Sequence, residues 1–284
     1  MKTTLSILST LILGSVAAAG TLKINGSTTV NLPAAEAAET LRAEKKMDIQ
    51  IDTQGGSSGG ISMLGDGLIQ IGMSSKPLTD DDRKKYPNVK FHPIHIGEDA
   101  VALVVSRDVW DGGVQSLTKQ QARDIYESKI TDWKDVGGKS GRIVFFNKEP
   151  GRGTWEVFAK WAYGDPKQAP SVSFPEVGGN EETRNKVEST RGAVSQLSSS
   201  WADGKKVFAL GLKSDSGEVI QPTPENIATH KYPMSRPLFL ITNGEPEGDA
   251  KIFVDYVLSP AGQQFVKKHG YLGLDQLKSG ADPK

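Results

Sequence analysis

The chain has 284 residues, with 34 Lys and Arg against 34 Asp and Glu, a formal net charge of +0, and 37% hydrophobic and 24% charged residues. That composition is globular rather than disordered, and its balanced charge excludes a general electrostatic pull toward nucleic acid or an anionic membrane. The lack of cysteine excludes disulfides, thiol catalysis, thiolate metal centres and a Cys-linked lipid anchor.

Taken in chain order, Lys2, the apolar run 5–16 and Ala17-Ala18-Ala19 form a positive start, a hydrophobic stretch and a small-residue cleavage site. Residues 1–19 therefore read as a signal peptide, too short to span a membrane comfortably, and the mature chain as a periplasmic protein starting near Gly20. Strands are predicted at 21–25, 49–53, 69–73, 90–96, 100–106, 142–147, 207–213 and 237–242. Helices are predicted near 33–46, 59–66, 79–86, 118–127, 154–163, 180–190 and 247–269. This alternation predicts an α/β fold with mostly parallel sheets. Thr79 before three Asp residues, and Thr118 with Gln121 three residues on, read as helix caps rather than metal ligands.

Four loops share one form: an apolar strand, then Gly, Ser and Thr, then a helix start. They are Gly26-Ser27-Thr28-Thr29, the 55–60 run GGSSGG, Gly72-Met73-Ser74-Ser75 and Gly151-Arg152-Gly153-Thr154. Glycine lets a backbone approach a ligand, hydroxyls donate hydrogen bonds, and a helix N-terminus carries unpaired N–H groups and partial positive charge. Several such loops at strand ends predict a site for a small oxyanion.

The sequence resembles the periplasmic phosphate-binding proteins of phosphate-specific ABC transporters. The resemblance rests on INGSTTV (24–30), GGSSGGI (55–61), IGMSSKPL (71–78), EDAVALVVS (98–106), LTKQQARDIYESKITDWKDVGG (117–138), NKEPGRGTWEVF (147–158) and YPMSRPLFLIT (232–242). It implies a type II periplasmic-binding-protein fold of two lobes joined by two hinge crossings, at 20–98, 99–224 and 225–284. It also implies one phosphate ion between the lobes, delivery to a membrane permease, a monomer, no nucleic-acid partner and no cofactor. Carried over position by position, the phosphate-binding residues are Ser27, Thr28 and Thr29, then Ser57, Ser58 and Gly59, then Ser74 and Ser75. The last loop adds Lys148, Arg152, Gly153 and Thr154.

Two departures stand out. The fourth loop usually reads Arg-Glu-x-Gly-Ser-Gly-Thr-Arg; here Lys148 replaces the first Arg, Arg152 the Ser and Trp155 the last Arg. Lysine keeps the charge but loses the bidentate fork, which Arg152 either restores by touching the anion or leaves unreplaced by pointing to solvent. In the third loop, Ser75 stands where some members carry Asp. A carboxylate there would pair with the proton of hydrogen phosphate and repel sulfate, whereas serine repels it less.

Other chemistries find little support. His92 and His95, three apart in a strand, fall on opposite faces, and no zinc-protease, serine-hydrolase or nucleotide-binding motif is present. The runner-up functions are binding of another oxyanion (sulfate, arsenate or an organic phosphate) and a phosphatase with a Ser nucleophile. The phosphatase would need a base or metal beside that Ser.

Overall fold

The computed structural model describes residues 20–277; the signal peptide expected at 1–19 lies outside the described residues. The strands are β1 (Leu22–Gly26), β2 (Ile49–Asp52), β3 (Ile71–Ser74), β4 (Phe91–Ser106), β5 (Ser116–Thr118), β6 (Val144–Lys148), β7 (Glu176–Val177), β8 (Ala193–Ser198), β9 (Val207–Ala209), β10 (Gly211–Lys213), β11 (Val219–Ile220) and β12 (Ser235–Asn243). The helices are α1 (Thr28–Lys45), α2 (Gly56–Gly65), α3 (Asp80–Lys85), α4 (Arg107–Asp111), α5 (Lys119–Tyr126), α6 (Gly153–Tyr163), α7 (Asn180–Ser189), α8 (Pro224–Ala228), α9 (Gly248–Leu258) and α10 (Pro260–Lys268).

One sheet runs through the molecule in the order β2-β1-β3-β12-β4-β8-β6-β7, with β9 also beside β4; β11-β10-β5 form a second, smaller sheet. The large sheet is mixed rather than mostly parallel. β1 is parallel to β2 and β3, and β6 to β7 and β8, but β12 and β4 run against their neighbours through the middle. β4 also replaces two expected strands with one. Its first part pairs with β12 and its second part, from Val101, with β8, so Gly97-Glu98-Asp99 stays extended instead of turning.

Two apolar cores flank this shared strand. The first gathers Ile24, Val30, Leu41, Ile71, Leu240 and Phe253 from β1, α1, β3, β12 and α9. The second gathers Leu103, Tyr126, Phe145, Phe158 and Val194, and it also takes Ile227, Tyr232 and Met234 from the segment before β12. Each fully buried Ile, Leu, Val or Phe contributes about 1.5–3 kcal/mol, so either core supports a rigid set of loops at its strand ends.

Further elements differ from the sequence expectation, among them the strand expected over 207–213, which splits into β9 and β10 in different sheets. The helix expected over 247–269 breaks at Ser259, whose side chain caps α10 while Pro260 takes its first turn. α1 starts at Thr28, five residues before the expected start, and keeps Pro33 inside it. β8 was not expected, because its sequence AVSQLS does not alternate; all six residues are buried. Its polar side chains are satisfied across the sheet: Ser195 donates to the Phe146 carbonyl at 2.7 Å and Gln196 to Asn147 Oδ1 at 3.2 Å.

Candidate anion-binding site

Four helices begin at one small cavity. α1 reaches it through Thr28, α2 through Gly56, α6 through Gly153 and α7 through Asn180. Each follows a strand end, so the sheet's topology aims four positive helix ends at one point. Among the described residues, the N–H groups of Thr28, Ser57, Gly153, Thr154 and Asn180 meet no acceptor of the chain.

The loops on the side of the first core supply hydroxyls. Ser27 Oγ caps α1, accepting from the N–H groups of Thr29 at 3.2 Å and Val30 at 3.4 Å, and it donates to Ser75 Oγ at 2.9 Å. Ser57 Oγ accepts from the Ser75 N–H at 3.1 Å. Gly56 holds φ at +58°, and a Cβ there would lie 2.6 Å from Arg152 Cδ, so the turn needs glycine twice over.

The other side adds charge. Lys148 is 1% exposed, and its ammonium donates to Thr183 Oγ1 at 2.6 Å and to the carbonyls of Gly178 at 2.8 Å and Gly179 at 3.0 Å. It thereby pins the loop that starts α7. Burial, reinforced by nearby Arg152 and Arg236, holds its pKa well below the usual lysine range. Arg152 neither points to solvent nor stands free. Its guanidinium grips Glu149 Oε2 at 2.7 and 2.9 Å and donates to the Thr53 carbonyl at 3.3 Å, across the cavity's lip. Gly153 lies so close to the opposite loops that a Cβ would come within 2.7 Å of Ser57 Oγ and 2.8 Å of Ser75 Oγ.

Of the residues expected from the sequence, Ser27, Thr28, Thr29, Ser57, Ser75, Lys148, Arg152, Gly153 and Thr154 come together around the cavity. Ser58, Gly59 and Ser74 do not line it. Ser58 sits one helical step further round α2 and bonds Glu156 at 3.0 Å. Gly59 packs against the Gln54 carbonyl, and Ser74 turns back onto the Lys76 carbonyl at 2.8 Å.

Sequence reasoning missed Gly56, Gly178 and Asn180 in the lining, and Arg236 beneath it. Asn180 Nδ2 donates across the cavity to Thr29 Oγ1 at 3.0 Å. Arg236, 1% exposed, is held by Asp99 Oδ2 at 2.7 and 3.0 Å and reaches hydroxyls of three loops: Thr29 at 3.1 Å, Ser75 at 3.2 Å and Thr154 at 3.1 Å. An Arg opening the predicted strand 237–242, inside a motif already singled out, was the available signal. The site is thus not built from neutral dipoles alone, since Lys148 and Arg236 place buried cations at its edge.

Comparisons with known proteins agree with this geometry. The model of the PBP superfamily domain matches residues 14–261. The phosphate-binding protein PstS of Bacillus subtilis is 30% identical over 275 residues, covering 95% of this chain and 86% of that protein. Among solved structures, a putative phosphate ABC transporter substrate-binding protein from Clostridium perfringens, with bound phosphate, superposes with a TM-score of 0.78 at 29% identity, over 90% of this chain and 100% of that one. An ABC-type phosphate transport receptor from Vibrio cholerae follows at 0.68 and 27%, over 88% and 99%. With this fold, this cavity and these relatives, the chain belongs to the PstS family of the PBP superfamily.

Proposed function

We infer that this protein is an extracytoplasmic solute-binding protein that encloses one inorganic phosphate ion in the cavity and hands it to the permease of an ABC transporter. The observation that carries this reading is the convergence of four helix N-termini on one donor-lined space, in a chain whose relatives are phosphate-binding proteins. The ligand residues in this reading are the nine expected ones that line the cavity, joined by Gly56, Gly178 and Asn180.

The two cores act as lobes, one formed by 20–98 and 235–277 and the other by 99–234. This reading puts the return crossing near 235 rather than 225, a choice supported by Ile227, Tyr232 and Met234 packing in the second core. The lobes meet through Ser58 N–H to the Gly151 carbonyl at 3.1 Å, Lys76 to Glu156 at 2.8 Å, and Asn180 to Thr29. An anion touching both sides favours this closed arrangement over an open one. In this reading the 1–19 segment, with its positive start, apolar run and small-residue cleavage site, exports the chain to the periplasm, where it works as a monomer. No helix among the described residues is long and apolar enough to cross a membrane.

Catalysis is no part of this reading. A Ser nucleophile needs an adjacent base, and the cavity is lined by hydroxyls, amides, Lys148 and Arg152. Isothermal titration of the mature chain with inorganic phosphate tests the reading: one ion per chain is expected, and no heat of binding would refute it. Turnover of a chromogenic phosphate ester would favour the enzyme instead.

A further inference from the structure

The hydrogen-bond polarity of the cavity is fixed from below. A guanidinium can only donate, so Thr29, Ser75 and Thr154 must each accept from Arg236. A hydroxyl has one proton and two lone pairs. Thr29 Oγ1 gives its second lone pair to Asn180 Nδ2, whose amide orientation is set by Lys148 facing Asn180 Oδ1 at 3.4 Å. Ser27 Oγ has both lone pairs taken by the N–H groups of Thr29 and Val30, so its proton goes to Ser75, which fills the second lone pair of Ser75. That leaves the Ser75 proton for Ser57 Oγ, 3.4 Å away, which already accepts from the Ser75 N–H, so Thr29 and Ser57 have only protons left to offer. Their hydroxyls join the unpaired backbone N–H groups as donors.

What is missing is a charged acceptor. None of the residues lining the cavity is a carboxylate. Thr28 and Thr154 keep lone pairs, but neutral hydroxyls do not repel an unprotonated oxyanion. The carboxylates bordering this network are already engaged: Asp99 by Arg236 and Ser198 on the far side of the guanidinium, Glu149 by Arg152, and Glu182 by the Gly178 N–H.

We propose that Arg236, clamped by Asp99, is a specificity-determining residue that takes up hydroxyl lone pairs and leaves the cavity without a charged acceptor. The ligand class is then the small tetrahedral dianion whether or not it carries a proton, so sulfate is accepted alongside hydrogen phosphate. This rests on the phosphate-binding reading above and adds to it the basis of selection: size and charge, not protonation. A P–OH group that faces only neutral partners gains little over an S–O group in the same place, so the two ions bind within about tenfold of one another.

The test is titration calorimetry of the mature chain at pH 8 with sodium phosphate and, separately, sodium sulfate, followed by the same pair on Ser75→Asp. Sulfate dissociation within about tenfold of phosphate in the unaltered chain is expected. Ser75→Asp should raise the phosphate-to-sulfate preference by at least about 100-fold, because the new carboxylate would face the sulfate oxygens. An unaltered chain that binds phosphate and rejects sulfate by more than about 1,000-fold would overturn this proposal while leaving the phosphate reading intact. Binding of neither ion would overturn both. Should Ser75→Asp fail to fold by circular dichroism, the ratio measured on the unaltered chain decides the matter alone.

Discussion

α5 and α6 pack against each other in the second core, yet their first turns are finished in opposite ways. α5 opens with a reciprocal capping box, Thr118 accepting from the Gln121 N–H while Gln121 closes back on Thr118. α6 opens at Arg152 with no side-chain cap, and so do α2 at Gly55 and α7 at Gly179. A cap consumes the N–H groups that an anion would use, so the three uncapped starts at the cavity forgo about 1 kcal/mol at Arg152 and a few tenths at each glycine, and keep their donors free. α1 is intermediate, with Ser27 serving two N–H groups while that of Thr28 stays open. α4 and α9 also lack caps but start elsewhere. Convergence on one space, rather than the missing cap itself, marks the site.

The largest expected effect comes from cutting the clamp beneath these helix ends. Arg236→Met strands the buried Asp99 carboxylate and should lower the unfolding free energy by about 3–5 kcal/mol, read by urea denaturation. A loss below about 1 kcal/mol would show that the Arg236–Asp99 pair does not organise the loops. Next comes Gly153→Ala at the start of α6. Its methyl would press on Ser57 and Ser75, so phosphate affinity should fall by about 10- to 100-fold in calorimetry. Fold stability should stay within about 1 kcal/mol, since alanine suits a helix better than glycine. Unchanged affinity would mean that the α6 start does not close on the opposite loops.

Lys148 sharpens the comparison through pH. Folding depresses its pKa, so the unfolded chain holds a proton that the folded chain gives up more readily. Stability of the anion-free protein should therefore rise as pH climbs through the depressed value toward the ordinary lysine range, and Lys148→Met should flatten that rise. Urea midpoints measured across alkaline pH check it, and identical slopes in both proteins would refute it. The smallest effect belongs to the capped helix. Thr118→Ala should cost about 1 kcal/mol of stability and leave phosphate affinity unchanged, because that cap serves only the fold.

Much of this site was legible in the sequence because Gly-Ser-Thr loops after apolar strands have few other uses in such number. Ser27, Ser57, Ser75 and Thr154 follow that logic and reach the cavity. The logic loses resolution within a loop. Ser58 is rotated about 100° from Ser57 by the helix, and Ser74 still belongs to β3, so neither faces the space that its neighbour faces. Asn180 was hidden because β7 is only two residues long and follows a Pro- and Ser-rich stretch without strand periodicity. Arg236 was hidden because a buried guanidinium at a strand start depends on a partner 137 positions away, which periodicity cannot reveal. The strand β4 misled in the other direction: Gly97 reads as a break, while in the fold it passes through the shared middle of the sheet.

The central claim, that four helix starts turn their free N–H groups toward one anion, is tested most directly by amide NMR of the mature chain titrated with phosphate. The amide protons of Thr28, Ser57, Gly153, Thr154 and Asn180 should shift downfield together at one equivalent, while those of Lys119 and Gln121 at the capped start of α5 stay in place. Saturable phosphate binding that leaves these five amides unmoved would contradict the account.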